Sequence, residues 1–339
     1  MQLATGFWAA KTLACAVQIN LFDRLSGREI GRHEVAKELR IEDRPAIALL
    51  TACTALGLLD KKGDLYRNSV LSEEFLVRGK PYYFGGVVRY CDERLYESWH
   101  QLTKAVRTNQ PVTWNPQVQD SLFAAEDSQM TALFWEAMHS MSSSTAHALL
   151  DVYDFSPHQR VLDVGGGSGA YLLELCGRHR HLSGTLYDLP HVCELADKRL
   201  HESGMDSAIK TVRGDFQTDA ALPSGHDLIL LSMILHDWDA QQNRALLRKC
   251  FEALPDGGVV MVSELLINPE RTGPVGAALM GVNMLVETQG GRNYTENEYL
   301  GWLRDAGFTE ADIIRFESSA ANGVVIGRKN LQPENRRGQ

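Results

Sequence analysis

Hydrophobic side chains along this chain follow two different spacings, and the change falls near Tyr153. Before it the spacing is helical. Residues 4–25 are apolar on every face apart from Lys11, Asp23 and Arg24, which predicts a buried helix. Near a chain terminus, the cover expected for such a helix is another subunit. Residues 33–40 make a short connection to a second helix over 43–58, and 59–66 read as a hairpin with Gly63 in its turn. A helical region rich in Tyr, Trp and Phe covers 82–107. Pro111 and Pro116 then mark a linker over 109–120. Helical spacing resumes over 121–150, with Phe134, Met138, Met141, Thr145 and Leu149 on one face. After Tyr153, short apolar runs alternate with helical stretches. The runs 161–165, 182–189, 209–212, 227–233 and 258–264 read as strands, followed by a helix over 295–306 and closing strands over 312–317 and 323–327. That alternation predicts an α/β domain built on a parallel sheet flanked by helices.

The chain therefore divides into a helical segment (1–108), a linker with a connecting helix (109–150), an α/β domain (151–329) and a polar tail (330–339). Two helices followed by a hairpin also outline a winged helix, the shape of many DNA-binding modules. The second helix argues against that use, because residues 45–59 (PAIALLTACTALGLL) contain no charged side chain. A recognition helix needs Arg, Lys, Asn or Gln to reach bases and phosphates. The winged-helix-like segment is read instead as a dimerisation element. A net charge of −9 points the same way, away from nucleic acid.

At 339 residues, with 44% hydrophobic and 23% charged positions, the composition is that of a soluble two-domain protein. No apolar run reaches membrane-spanning length, and the start of the chain lacks a basic segment followed by a cleavage site. Six scattered cysteines without a C-x-x-C pair read as reduced thiols. The expectation is a cytoplasmic protein with no membrane partner.

The chemistry begins at 160–169, RVLDVGGGSG, where a β-branched run ends in four glycines within five positions. Such a strand, turn and helix start lets a ligand approach bare backbone and free N–H groups. Gly165, Gly167 and Ala170 fit a dinucleotide loop, so NAD is one candidate. Asp163, two residues before the first glycine, gives with Gly169 a D-x-G-x-G-x-G pattern that resembles motif I of the class I S-adenosylmethionine-dependent methyltransferases, and an acidic side chain there suits the cationic amine of that cofactor. Asp188, 23 residues after Gly165 and ending the next strand, can accept hydrogen bonds from a ribose diol in either cofactor. Helix capping is the alternative role for that aspartate.

Three more polar clusters fall at predicted strand ends, where ligands bind in sheets of this kind. Gly214-Asp215-Phe216 can meet an adenine through its carboxylate and ring. His236, just past the run 227–233, can take the proton of a substrate hydroxyl. Glu264, ending the neighbouring strand, can hold the other ring nitrogen and stabilise the imidazolium. Asn283, Met284, Glu287 and Thr288 follow on a stretch of helical spacing.

In order and spacing, LDVGGGSG (162–169), YDLP (187–190), GDF (214–216), LHDW (235–238), ALPDGG (253–258), NML (283–285) and GGR (290–292) resemble the plant-type small-molecule O-methyltransferases. That family includes caffeate and acetylserotonin methyltransferases and bacterial natural-product tailoring enzymes. The likeness runs over nearly the whole chain. It implies a Rossmann-like class I methyltransferase sheet with an N-terminal, mainly helical, winged-helix-like dimerisation domain, and a homodimer. S-adenosylmethionine is the implied cofactor, held by Asp163, Gly165, Gly167, Asp188, Leu189, Gly214, Asp215, Phe216 and Ser232. The implied catalytic group is His236 as base, with Glu264 and Asn293 orienting it. Met138, Met141, Asn283, Met284, Glu287 and Thr288 are the implied lining of a pocket for a small aromatic acceptor.

Two departures stand out. Asn293 occupies the place of the family's second glutamate, and Ser232 and Met233 stand where many relatives carry Lys or Arg. Transfer to carbon or nitrogen on the same fold is therefore a second reading. An NAD-dependent oxidoreductase, a cofactor-sensing regulator and a metal-assisted variant using His236, Asp237 and Glu287 are more distant ones. Neighbouring His and Asp side chains on a strand exit rarely point the same way, and no metal is expected.

Overall fold

The computed structural model describes residues 1–119, 123 and 129–330, with side chains in the long connecting helix described from 132 onward. The start of the helix expected over 121–150 and most of the polar tail lie outside the described residues. The chain forms two compact units. Met1–His100 and the connecting helix as far as Ser140 make the first. The second holds residues 101–119 and 123 and the described residues from Met141 onward.

The first unit is mainly helical. The apolar run near the start is two helices, Gly6–Gln18 and Leu21–Leu25, rather than one. Asn20 breaks it at φ +61°, a left-handed conformation that Asn tolerates better than most side chains. Ala14, Ala16, Val17, Leu21, Phe22 and Leu25 are buried against Leu50, Cys53 and Leu59. Phe7 and Trp8 face outward, 48% and 61% exposed, so this unit by itself leaves an aromatic patch in water. The second helix, Asp43–Ala55, leads to the hairpin β2 (Leu59–Lys62) and β3 (Leu65–Asn68). A two-residue strand, β1 (Ile30–Gly31), pairs with β3 to complete a small antiparallel sheet. The helical region expected over 82–107 is made of four short pieces, Gly85–Tyr90, a π-helical turn Cys91–Leu95, Tyr96–Trp99 and Leu102–Thr108.

The second unit is an α/β sandwich. Its strands are β4 (Arg160–Val164), β5 (Ser183–Asp188), β6 (Ile209–Arg213), β7 (Leu228–Ser232), β8 (Val259–Glu264), β9 (Glu310–Arg315) and β10 (Gly323–Arg328). They pair in the order β6-β5-β4-β7-β8-β10-β9. The pairs from β6 through β8 are parallel, and β10 is antiparallel to both β8 and β9. Strands buried on both faces, such as LILLS in β7 and VVMVSE in β8, require helices on both sides of the sheet. One face packs Tyr171, Leu172 and Leu175 of the helix Ala170–Arg178 and Ala196 and Leu200 of Pro190–Glu202. The other packs Leu246, Leu247 and Cys250 of Ala240–Ala253 with Tyr299, Trp302 and Leu303 of Glu296–Ala306. Among the described residues no helix is long and apolar enough to cross a membrane.

The strand order reverses direction beside β4. Chain order runs outward from β4 to β6, then returns to β7 on its other side. The helices that follow β4 and β7 lie on opposite faces, which opens a crevice at the carboxyl ends of these two strands. Every polar cluster that the sequence placed at a strand end converges on this edge.

Candidate active site

The glycine turn after β4 forms one wall. Gly165, Gly167 and Gly169 all have positive φ (+69°, +56° and +76°), a path closed to ordinary side chains. The turn is tied to the next strand through the Gly165 N–H, which donates to the Tyr187 carbonyl at 2.8 Å. A Cβ on Gly165 would lie 2.5 Å from Ile234 Cδ1 and 3.5 Å from Phe216 Cε1, so loop, β7 exit and Phe216 close around one small space. Phe216 in turn meets the Trp238 ring edge-on at 5.8 Å.

Asp188 ends β5 beneath this turn. Its two oxygens accept from the Gly167 N–H at 2.9 Å and the Leu189 N–H at 2.7 Å. Leu189 thus contributes its backbone here by holding Asp188. Burial pushes the Asp188 carboxyl up to about 6, against the lowering effect of those two N–H groups. A carboxylate has about four lone-pair sites, so room for a diol remains. Asp163 is more extreme. Its side chain is buried, Oδ2 has no hydrogen-bond partner, and burial with the nearby Asp188 raises it to about 8. A cationic amine would remedy both conditions, whereas a pyrophosphate would add a second anion. The orphaned Asp163 oxygen and the glycine cradle together fit S-adenosylmethionine.

The remaining cofactor candidates sit around the same edge in different roles. Gly214 is pressed against Tyr187, whose ring a Cβ would meet at 2.3 Å. Asp215 accepts from the Gln217 N–H at 2.8 Å, which folds the loop that presents Phe216. Ser232 ends β7 in register with Ser263 of β8, and the buried Tyr171 hydroxyl lies 3.1 Å from Ser263 Oγ. Tyr171 was invisible as a polar participant in the sequence, because its spacing is that of a core position. Met233, just after Ser232, is at φ +56°, a strained conformation for a bulky residue of the kind that gathers at functional sites.

The third cluster is His236, Glu264 and Asp237. The short helical turn Leu235–Asp237 buries His236, and Glu264 ends β8 beside it. Glu264 Oε2 lies 2.8 Å from His236 Nδ1, and Oε1 accepts from the His236 N–H at 3.3 Å. The carboxylate therefore fixes Nδ1 as the protonated nitrogen and leaves Nε2 for substrate. Asp237 Oδ1 stands 3.5 Å from Nε2, so these adjacent side chains do point the same way, contrary to the expectation for neighbours. Burial works to lower the imidazole, but Glu264 and Asp237 overcome it and raise His236 to about 9. Burial, Glu264 and Glu287 raise Asp237 to about 7, against the pull of His236.

Asn293 departs from expectation. Its amide donates to the Leu265 carbonyl at 2.6 Å and makes no hydrogen bond to His236. It therefore does not orient the imidazole. Thr288 is also spent within the fold, since its hydroxyl donates to the Met284 carbonyl and accepts from the Gly291 N–H, both at 2.9 Å. It follows the helix Val275–Glu287 that carries Asn283, Met284 and Glu287. Met284 and Glu287 are buried, and Met141 is buried on the connecting helix, where its carbonyl accepts from Thr145. Met138 belongs to the stretch of that helix in the first unit. Gly291, which the motif supplied without a role, has a steric one. A Cβ there would lie 2.3 Å from the His236 carbonyl oxygen. Among the described residues, no group of three or more His, Cys, Asp or Glu is placed to hold a metal ion.

A sheet of this order, with a glycine cradle and paired acidic groups at its switch point, defines a class I S-adenosylmethionine-dependent methyltransferase. The chain belongs to the O-methyltransferase family: the O-methyltransferase domain matches residues 99–309, and the O-methyltransferase dimerisation domain matches residues 1–78. It is 49% identical to a 3-hydroxy-5-methyl-1-naphthoate 3-O-methyltransferase of Streptomyces sahachiroi, over 96% of this chain and 94% of that one. Among solved structures it is similar to human N-acetylserotonin methyltransferase in complex with SAM, with a TM-score of 0.85 and 27% identity over 97% and 96% of the two chains. It is also similar to PigF with SAH, with a TM-score of 0.83 and 30% identity over 97% and 98%.

Proposed function

We propose that this enzyme methylates a hydroxyl of a small, planar aromatic acceptor, with His236 as general base. The observation that carries the reading is the buried His236–Glu264 pair at 2.8 Å, at the strand ends beside the glycine cradle. The naphthoate specificity of the Streptomyces sahachiroi relative supports an aromatic acceptor. When bound, S-adenosylmethionine supplies a methyl group made electrophilic by a cationic sulfur. Asp163 would hold its amine, Asp188 its ribose, and Asp215 with Phe216 its adenine.

The chain's own part is alignment and proton transfer. Fixing the acceptor oxygen in line with the methyl is worth up to about 7–11 kcal/mol of barrier. His236 Nε2 takes the hydroxyl proton as the oxygen gains the methyl carbon, and Glu264 and Asp237 stabilise the imidazolium. The same carboxylates keep His236 largely protonated at neutral pH, and a cationic cofactor beside it opposes them. We place the homodimer interface on the dimerisation domain, where Phe7 and Trp8 lie exposed.

The test is incubation with S-adenosylmethionine and a panel of hydroxynaphthoates, with the new methyl located by NMR. Oxygen-linked methyl and a loss of about 10²-fold or more in His236→Ala, with unchanged cofactor affinity, are expected. Methyl on carbon or nitrogen, or full turnover without the imidazole, would reject the assignment.

A further inference from the structure

Asn293 is 5% exposed, and its side-chain Oδ1 has no hydrogen-bond partner. The orientation of the amide is settled by its neighbour. The Leu265 carbonyl can only accept, so Nδ2 must face it and Oδ1 must lie at the opposite end of the planar group. A buried amide oxygen left in this state asks for an occupant.

Its place in the fold says which occupant. Two residues earlier, Gly291 closes directly on the His236 carbonyl. On another side, a Cβ on Gly281 would lie 3.6 Å from Asn293 Cβ, so the side chain packs against the helix that carries Asn283, Met284 and Glu287. Leu265 is the residue after Glu264. Asn293 is therefore wedged among the turn that carries His236, the exit of β8 and the helix Val275–Glu287. In that turn Asp237 stands 3.5 Å from His236 Nε2 and lies under the influence of Glu264 and Glu287. That surrounding is rich in hydrogen-bond acceptors and disfavours an added anion. A glutamate at 293 would add another negative charge. Asparagine keeps the acceptor oxygen without it.

We propose that Asn293 is a recognition residue whose Oδ1 accepts a hydrogen bond from the substrate. The enzyme then selects aromatic acceptors that carry a second O–H or N–H donor besides the hydroxyl that is methylated. The inference rests on the O-methyl-transfer reading above and specifies its acceptor class.

The test uses the full-length enzyme with S-adenosylmethionine and a set of dihydroxynaphthalenes, each paired with the methoxynaphthol in which the second hydroxyl is capped. The expected result is that capping lowers kcat/KM by about 10- to 100-fold in the wild type for the preferred pair. In Asn293→Leu the ratio should collapse to about 3-fold or less, through a loss confined to the dihydroxy compound. Calorimetric affinity of both compounds for the S-adenosylhomocysteine-bound wild type gives the same ratio without turnover, and so decides the matter even if the leucine variant does not fold. Equal handling of every pair by the wild type would overturn the proposal. So would a leucine variant that loses both compounds equally while still binding cofactor, which would make Asn293 a tether for Leu265. Turnover of no hydroxynaphthalene and no hydroxynaphthoate by a cofactor-binding wild type would instead reject the O-methyl-transfer reading, and the inference with it.

Discussion

Replacing Glu264 by Gln removes one negative charge 2.8 Å from His236 Nδ1 while keeping a hydrogen-bond acceptor at nearly the same place. In the native protein Glu264 and Asp237 hold the buried imidazole up to about 9. At pH 7.5 only ~3% of such a group is neutral and able to accept a proton. Without Glu264, burial pulls the imidazole down and only Asp237 still raises it, so it returns toward its ordinary value of about 6.5. The neutral fraction at pH 7.5 then rises to ~90%, about 30-fold. The plateau rate moves the other way, since the weaker base and the unsupported imidazolium cost on the order of 10–100-fold. The assay is kcat/KM against pH from 6 to 10 for both enzymes, with saturating S-adenosylmethionine. The wild type should climb toward the raised value of the imidazole, brought below 9 by the bound cofactor's positive charge, and Glu264→Gln should level off about 2.5 pH units earlier at a lower plateau. Superimposable profiles would refute the coupling between Glu264 and His236, and a limb moved to higher pH would refute its sign.

Other outcomes follow from the same geometry. Asp163, raised to about 8, is mostly protonated at pH 7, so binding of a cationic amine should expel a proton, read as buffer-dependent heat in calorimetry and absent in Asp163→Asn. Asp188→Ala frees the Gly167 and Leu189 N–H groups and removes the diol acceptor, and should weaken cofactor binding by about 100-fold in the same experiment. Gly291→Ala drives a Cβ into the His236 carbonyl and should cost about 1–3 kcal/mol in urea unfolding along with most of the turnover. The raised His236 also stabilises the fold below pH 6.5, and that contribution should fade as pH rises through about 9. Urea midpoints should therefore fall less steeply across this range in His236→Gln than in the wild type.

Much of this enzyme was legible in local sequence because local chemistry constrains it. A run such as RVLDVGGGSG leaves few choices, since β-branched residues favour a strand and successive glycines permit the positive φ values of a ligand-binding turn. Alternating strand and helix segments imply a parallel sheet, and ligands in such sheets gather at the carboxyl ends, which brings Asp163, Asp188, His236 and Glu264 to one edge on pattern alone. Element ends were less legible. The break at Asn20 and the fragmentation of 82–107 depend on backbone conformations that hydrophobic spacing does not encode. What a polar side chain does once buried depends on distance and on partners remote in sequence. Tyr171 reads as core until Ser263 is found 92 positions away, Asp237 gains its role by standing 3.5 Å from Nε2, and Asn293 turns from the imidazole to the Leu265 carbonyl. Pattern determines which face of an element is buried, but only tertiary packing decides which donor meets which acceptor, because a hydrogen bond is made or lost within about half an ångström.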